Sequence, residues 1–328
     1  MRKAVLSDVQ GQSEGVRFLR RVVEGHVKSP LLLAGMEGVG RRYSVTEAAK
    51  EAFSNGDPGS IHCIQISHGV HPDLVTVQPP DGKEIGIDAI REVLERVDAF
   101  PSIAPMRYVI IDGADRMNLS AASALLKVLE EPCVTTRFFL LASSLATILP
   151  TIRSRCGLVR YRPLPEKFVH DYICPPVREA NEPDDKYALR RLKALVCTRL
   201  SEGSVGRAYQ YLASGRLTLR NKMLSLLKAV VAGDLSSLFS IVDDIDEDLP
   251  HGLRFFEHLL YDLTMLVHAP SRLSNLDIAE ELGGIRAQMT EGQLRSLLSG
   301  LGSLRGQKNA SLDLAFHTKT YLATSFGG

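Results

Sequence analysis

The sequence predicts an α/β protein: a parallel-sheet core in the first half, followed by a half built only of helices. Three observations carry this. Short apolar runs of strand length alternate with helical periods up to about residue 163. A glycine-rich turn joins the first such run to the first helical period, and beyond Pro163-Leu164-Pro165 no strand-type run recurs. Element by element, Leu31-Leu32-Leu33-Ala34 reads as a strand, and Val45, Ala48, Ala49, Ala52 and Phe53 recur at helical spacing after it. Residues 73–77 read as a second strand. Ile87, Ile90, Val93, Leu94 and Val97 mark one face of a helix, which Pro101 and Pro105 break. Residues 107–112 form a near-continuous apolar run ending in Asp112, the pattern of a strand buried on both faces. Asn118 or Ser120 caps the next helix, whose Ala121, Ala124, Leu125, Val128 and Leu129 face inward until Pro132 stops it. Residues 138–143 and 158–161 complete the sheet.

The second half reads as a small helical unit to about residue 212, crossed by Pro175-Pro176, and then long amphipathic runs. These span 217–231, 235–245, 253–267, 294–304 and 312–326. Taken alone, they describe a helical bundle with no site of its own.

Composition bounds function without choosing it. A chain of 328 residues with 45% hydrophobic residues is long enough for two or three cored domains. A formal net charge of +1 excludes a large basic field, so any DNA contact is local or shared. No apolar run reaches membrane-spanning length and residues 1–8 lack an apolar signal segment, so a cytoplasmic protein with no membrane partner is expected. Five cysteines, none in a C-x-x-C pair, form neither a disulfide framework nor a zinc spacing.

The most informative stretch runs from Leu31 to Arg42. Gly35, Gly38 and Gly40 keep the frame of a phosphate-binding loop, in which backbone N–H groups point at phosphate oxygens. Such a loop also needs a lysine for the phosphates and a Ser or Thr hydroxyl for Mg²⁺, and here those positions hold Arg41 and Arg42. A fixed guanidinium repels a unit positive charge about 4 Å away by about 4 kcal/mol near a protein surface, and a divalent ion by more. The second nucleotide motif is also incomplete. Asp112 stands where a metal-side acid would, but the next residue is Gly113 rather than a water-orienting carboxylate. No bound nucleotide cofactor and no metal are therefore expected, although a phosphate or sulfate fits the turn between Gly38 and Arg42. A dinucleotide-binding oxidoreductase fails on spacing, because the glycines read G-x-x-G-x-G.

Several further motifs carry a family resemblance. Ile110-Ile111-Asp112-Gly113-Ala114-Asp115-Arg116-Met117-Asn118, then the run from Ala124 to Pro132, then Leu149-Pro150-Thr151-Ile152-Arg153-Ser154-Arg155-Cys156 resemble the AAA+ clamp-loader ATPase subunits of bacterial DNA polymerase III. His71-Pro72-Asp73-Leu74 and Val9-Gln10-Gly11-Gln12 fit as well, and the resemblance covers residues 1 to about 212. Within that family it is nearest the type whose nucleotide site is degraded.

The resemblance implies a RecA-like AAA+ core (1–163), a small helical lid (164–213) and an all-α helical collar (214–328) that joins a pentameric ring. It implies a non-catalytic stator with tau/gamma and delta subunits, the sliding clamp and primed DNA as partners. Arg155 is then the trans-acting arginine finger, since an arginine at a subunit joint can reach a phosphate bound next door. Ser143 and Ser144 fall at a first sensor position and Arg207 at a second, while Arg153 points elsewhere and Cys156 belongs to the core. The alternative is an active ATPase of the tau/gamma type.

Zinc modules occur in many such subunits between the loop helix and the His-Pro-Asp stretch. Here that interval offers Cys63, His62 and His68, with His71 as the only further ligand, so no metal is expected.

Overall fold

A computed structural model describes residue 6 and residues 9–80, 83–97, 99–178, 182–306 and 314–324. It separates into two compact units: residues 1–168 with Gly203–Gly206, and residues 169–202 with 207–328.

The first unit is a five-stranded parallel sheet of β1 (Leu31–Ala34), β2 (Leu74–Val77), β3 (Arg107–Asp112), β4 (Thr136–Ala142) and β5 (Gly157–Arg160), ordered β2-β3-β4-β1-β5. The period of two divides its side chains cleanly. Leu31, Leu33, Tyr108, Ile110, Phe139 and Leu141 face one core with Val45, Ala48, Ala49 and Phe53 of helix α2 (Arg41–Ser54). That core also takes Leu19 and Val22 of α1 (Ser13–Val23) and Ile66 of α3 (Ile61–Ser67). Leu32, Val109, Ile111, Phe138 and Leu140 face the other, against α4 (Ile87–Val97) and α5 (Leu119–Glu130). Asn118 is the α5 cap, its Oδ1 accepting from the Ala121 amide at 2.9 Å. A single turn, α6 (Pro150–Arg153), precedes β5.

Two helices of this unit, α1 and α3, have no counterpart in the sequence reading. α1 carries Arg17, Arg20 and Arg21 between its apolar residues, which lowers its mean hydropathy while leaving the buried stripe intact. β4 begins at Thr136 rather than 138 because Thr136 and Arg137 are buried and pair with β3.

The second unit is helical throughout its described residues. It comprises α7 (Glu166–Ile173) and α9 (Val205–Ala213), whose first residues lie in the first unit, with α8 (Asp184–Leu200), α10 (Leu217–Ala232), α11 (Leu235–Asp244), α12 (Leu249–His268), α13 (Ala279–Arg286), α14 (Glu291–Gly306) and α15 (Leu314–Thr324). Val196, Leu200 and Tyr211 share one core with Met223, Leu227, Phe255, Phe256, Leu259, Leu297 and Leu322. α12 starts four residues before the expected 253 because Pro250 sits in its first turn, where a missing N–H costs nothing. The expected run 312–326 appears as α15; residues 312, 313, 325 and 326 lie outside the described residues. Among the described residues no helix is long and apolar enough to cross a membrane.

Candidate functional site

Parallel pairing brings the carboxyl ends of β1, β3 and β4 to one edge of the sheet, where an open α/β sheet places its ligand-binding residues. The loop after β1 is set by backbone geometry. Gly35 N–H donates to the Ala142 carbonyl at 3.1 Å, and Gly38 and Gly40 adopt φ of +78° and +96°. Gly40 is the N-cap of α2 and offers no side chain, so the amides of the first turn stay directed out of the helix.

The loop is also held from outside. Gly206 N–H donates to the Gly38 carbonyl at 3.1 Å, and Ser204 Oγ to the Glu37 carbonyl at 2.8 Å. A β-carbon at Gly38 would lie 2.2 Å from Ser204 Oγ, so this close approach requires glycine there. The buried Gln12 amide donates to the carbonyls of Val39 (3.2 Å) and Arg162 (2.7 Å), and its oxygen accepts from Arg162 N–H at 3.2 Å. Gln12 is thus a strut under the loop, a role not legible in its sequence position.

Arg41, Arg42 and Asp112 converge. The Arg42 guanidinium lies 3.6 Å from Asp112 Oδ2. Arg41 is buried, and its Nη2 donates to Ser143 Oγ at 3.2 Å while Nη1 has no partner among the described residues. Burial pulls the Arg41 guanidinium below its ordinary value, against the charges of Asp112, Asp115 and Glu37. Burial likewise pushes the Asp112 carboxyl up, opposed by Arg42 and Arg41. A divalent ion at Asp112 would have to displace one guanidinium and would still face another.

Ser143 and Ser144 are ordered by a residue that the sequence reading did not single out. Asp115 Oδ2 accepts from the amides of Ser143 (3.1 Å) and Ser144 (3.2 Å). Arg207 belongs to the second unit and pairs there with Glu202 at 3.4 Å.

Arg155 stands apart from this edge, following α6. Its Nε donates to Glu130 Oε1 at 2.7 Å, Nη2 contacts the same oxygen, and Nη1 donates to the Thr151 carbonyl at 2.9 Å. Cys156 is half-buried in the sheet core, its thiol pushed up to about 12 by burial. Arg153, the last residue of α6, lies exposed.

The four residues considered for zinc do not converge. His62 Nδ1 and His71 Nε2 are 2.9 Å apart, Cys63 Sγ donates to the Asp57 carbonyl at 3.4 Å, and His68 Nδ1 bonds the Ile64 carbonyl of its own helix. Asp73 N–H donates to His71 Nδ1 at 3.0 Å, which fixes the His71 proton on Nε2 and makes His62 the acceptor. Burial, then the neighbouring His62, hold the His71 imidazole below its usual value. No group of three metal-ligating side chains occurs among the described residues.

A family model described as DNA polymerase III, delta subunit, matches residues 11–165. The chain is 30% identical over 247 residues to DNA polymerase III subunit delta' of Escherichia coli K12, covering 75% of this chain and 70% of that one. It is 43% identical over 101 residues to the subunit of the same name from Haemophilus influenzae, covering 31% and 30% of the two chains. Against human replication factor C subunit 4 the identity is 25% over 323 residues, with 89% and 82% covered.

Proposed function

Because the chain belongs to the DNA polymerase III delta-prime family, whose members are clamp-loader subunits, we propose that it acts there as a non-catalytic stator. It assembles with tau/gamma-type and delta subunits, lends Arg155 to the nucleotide site of a neighbour, and takes part in placing a sliding clamp on primed DNA. The division into an AAA+ core (1–163), a lid (164–213) and a collar (214–328) belongs to the same proposal.

The observation that carries the non-catalytic reading is the Arg42–Asp112 pair. The residues at this edge do not fit a magnesium-bound triphosphate. One guanidinium sits on the acid at the metal-side position, a second reaches Ser143, and Gly113 supplies no carboxylate to orient water. What the edge retains is the loop frame, braced by Gln12, Ser204 and Gly206. That bracing supports a rigid rather than a cycling subunit.

The trans-acting role of Arg155 is supported by chemistry and position: a planar, permanently charged fork on a surface turn, one-third exposed. The test is Arg155→Ala in a loader reconstituted with ATP-hydrolysing partner subunits, clamp and primed DNA. Because such fingers are worth about 10³-fold or more where they act directly, hydrolysis should fall at least about tenfold. An unaltered rate in an intact assembly would reject the role.

A further inference from the structure

Glu130 is the last residue of α5, at the end of the helix where the macrodipole disfavours an acid. Its partner is Arg155, and the pair borders an open recess of roughly 490 Å³ between Pro30, Leu129, Pro132 and Ser154. The bonding is asymmetric. Both Arg155 Nε and Nη2 go to Oε1 of Glu130, while Nη1 goes to the Thr151 carbonyl (2.9 Å) and Ser154 Oγ (3.3 Å). Four of the five guanidinium N–H groups are thereby engaged, and the remaining one, on Nη2, has no partner among the described residues.

We propose that Glu130 is a positioning residue for the trans-acting arginine: it and the Thr151 carbonyl lock the guanidinium plane so that the remaining Nη2 N–H is presented to a phosphate oxygen bound by a neighbouring subunit. The inference rests on the reading of Arg155 given above. An arginine on a surface turn loses much rotamer freedom when it engages a ligand, and a side chain already fixed by hydrogen bonds has given up that freedom beforehand. The acid at an unfavourable helix end is explained by the same contact. The charge of Glu130 is incidental to this role, because one oxygen takes both bonds. Glutamine offers the same acceptor.

The test uses the reconstituted loader at saturating ATP with clamp and primed DNA, in four versions: Glu130→Gln, Glu130→Ala, Arg155→Ala, and the double variant Glu130→Ala/Arg155→Ala. Glu130 is half-exposed, so alanine there leaves the core untouched. The expected result is a kcat for Glu130→Ala about five- to tenfold below wild type with KM for ATP little changed. Glu130→Gln stays within about twofold of wild type, and the double variant is no slower than Arg155→Ala alone, since the two residues act as one unit.

Two results overturn the proposal. A Glu130→Ala rate at or above wild type would mean that the acid does nothing or restrains the arginine as a latch. A Glu130→Gln rate as low as that of Glu130→Ala would mean that charge rather than geometry matters. If either occurs while Arg155→Ala is impaired, this inference fails and the reading of Arg155 stands. If Arg155→Ala is itself unimpaired, both fail.

Discussion

Restoring the metal-side chemistry of the loop should restore magnesium-dependent nucleotide binding, and the structure sets the size of the effect. The perturbation is the double substitution Arg41→Lys/Arg42→Thr, which returns an ammonium to the phosphates, a hydroxyl to the metal, and Asp112 to solvent. A divalent ion about 4 Å from one guanidinium is repelled by about 8 kcal/mol at an effective dielectric near 20, twice the value for two unit charges. The Arg42 side chain is 53% exposed, so water and salt screen most of this. On the order of 2 kcal/mol remains, or about 25-fold in affinity. Arg42 also holds the Asp112 carboxyl down against burial, so removing it raises that group further. The assay therefore runs at about pH 8, well above the ordinary carboxylate range, to favour the ionised acid. Calorimetric titration with ATP, with and without Mg²⁺, should show little magnesium dependence in the wild type and at least about tenfold tighter binding with the metal in the variant. Turnover should stay absent, because Gly113 still provides no base. Micromolar, magnesium-dependent binding by the wild type, or no gain in metal dependence in the variant, would refute the reasoning.

Two further predictions concern how the first unit holds its shape. Asp73 is fully buried, accepts from the amides of Ser102, Ile103 and Ala104 at 2.7–2.9 Å, and lies 3.4 Å from the buried Arg107. Asp73→Asn leaves that guanidinium uncompensated and should cost about 3–5 kcal/mol, read as a lowered denaturant midpoint. Burial pushes the Asp73 carboxyl up, but the Ile103, Ala104 and Ser102 amides and Arg107 outweigh it, and the folded-state value lies below the unfolded one. The carboxylate thus adds stability that is complete above the unfolded value near pH 4 and fades as pH falls through the lower folded value. That acid-side slope should flatten in the variant. At the loop, Gly38→Ala meets both a positive φ and the Ser204 hydroxyl, whereas Gly40→Ala meets only the φ, with no atom within 4 Å. Gly38→Ala should therefore cost about 2–4 kcal/mol and Gly40→Ala about 1–2 kcal/mol. Equal melting temperatures for the two variants would show that the segment 203–206 does not press on the loop.

The sheet was legible because a parallel strand buried on both faces announces itself as an unbroken apolar run, as in Arg107–Asp112 and residues 138–142. The loop was legible because glycines at fixed offsets between a strand and a helix have few other uses. α1 and α3 escaped for opposite reasons: the first hides its stripe among arginines, and the second is a seven-residue helix, too short to establish a period. α13 escaped in the same way, with Leu282 and Ile285 as its only buried side chains. At the site, residues defined by type could be named in advance. Those defined by partner could not, because nothing near Gln12 in the sequence points to a carbonyl at Arg162, and nothing near Asp115 points to two amides beyond β4.

That division between type and partner bears on the stator reading itself. A phosphate loop in a working nucleotidase is ordered in part by what it binds, and its neighbours respond when the ligand changes. Here the chain itself occupies the metal side, with Arg42 on Asp112 and Arg41 on Ser143, and it braces the loop through its carbonyls, which accept from Ser204, Gly206 and Gln12. Contacts internal to the chain need no nucleotide to form, which is what the stator reading requires. On the proposed stator reading, the guanidiniums at the metal side and the braces on the loop act together to hold this edge in one arrangement. In that reading Arg42, standing at the metal-hydroxyl position, opposes a metal, and by pairing with Asp112 it also spares that edge an uncompensated carboxylate.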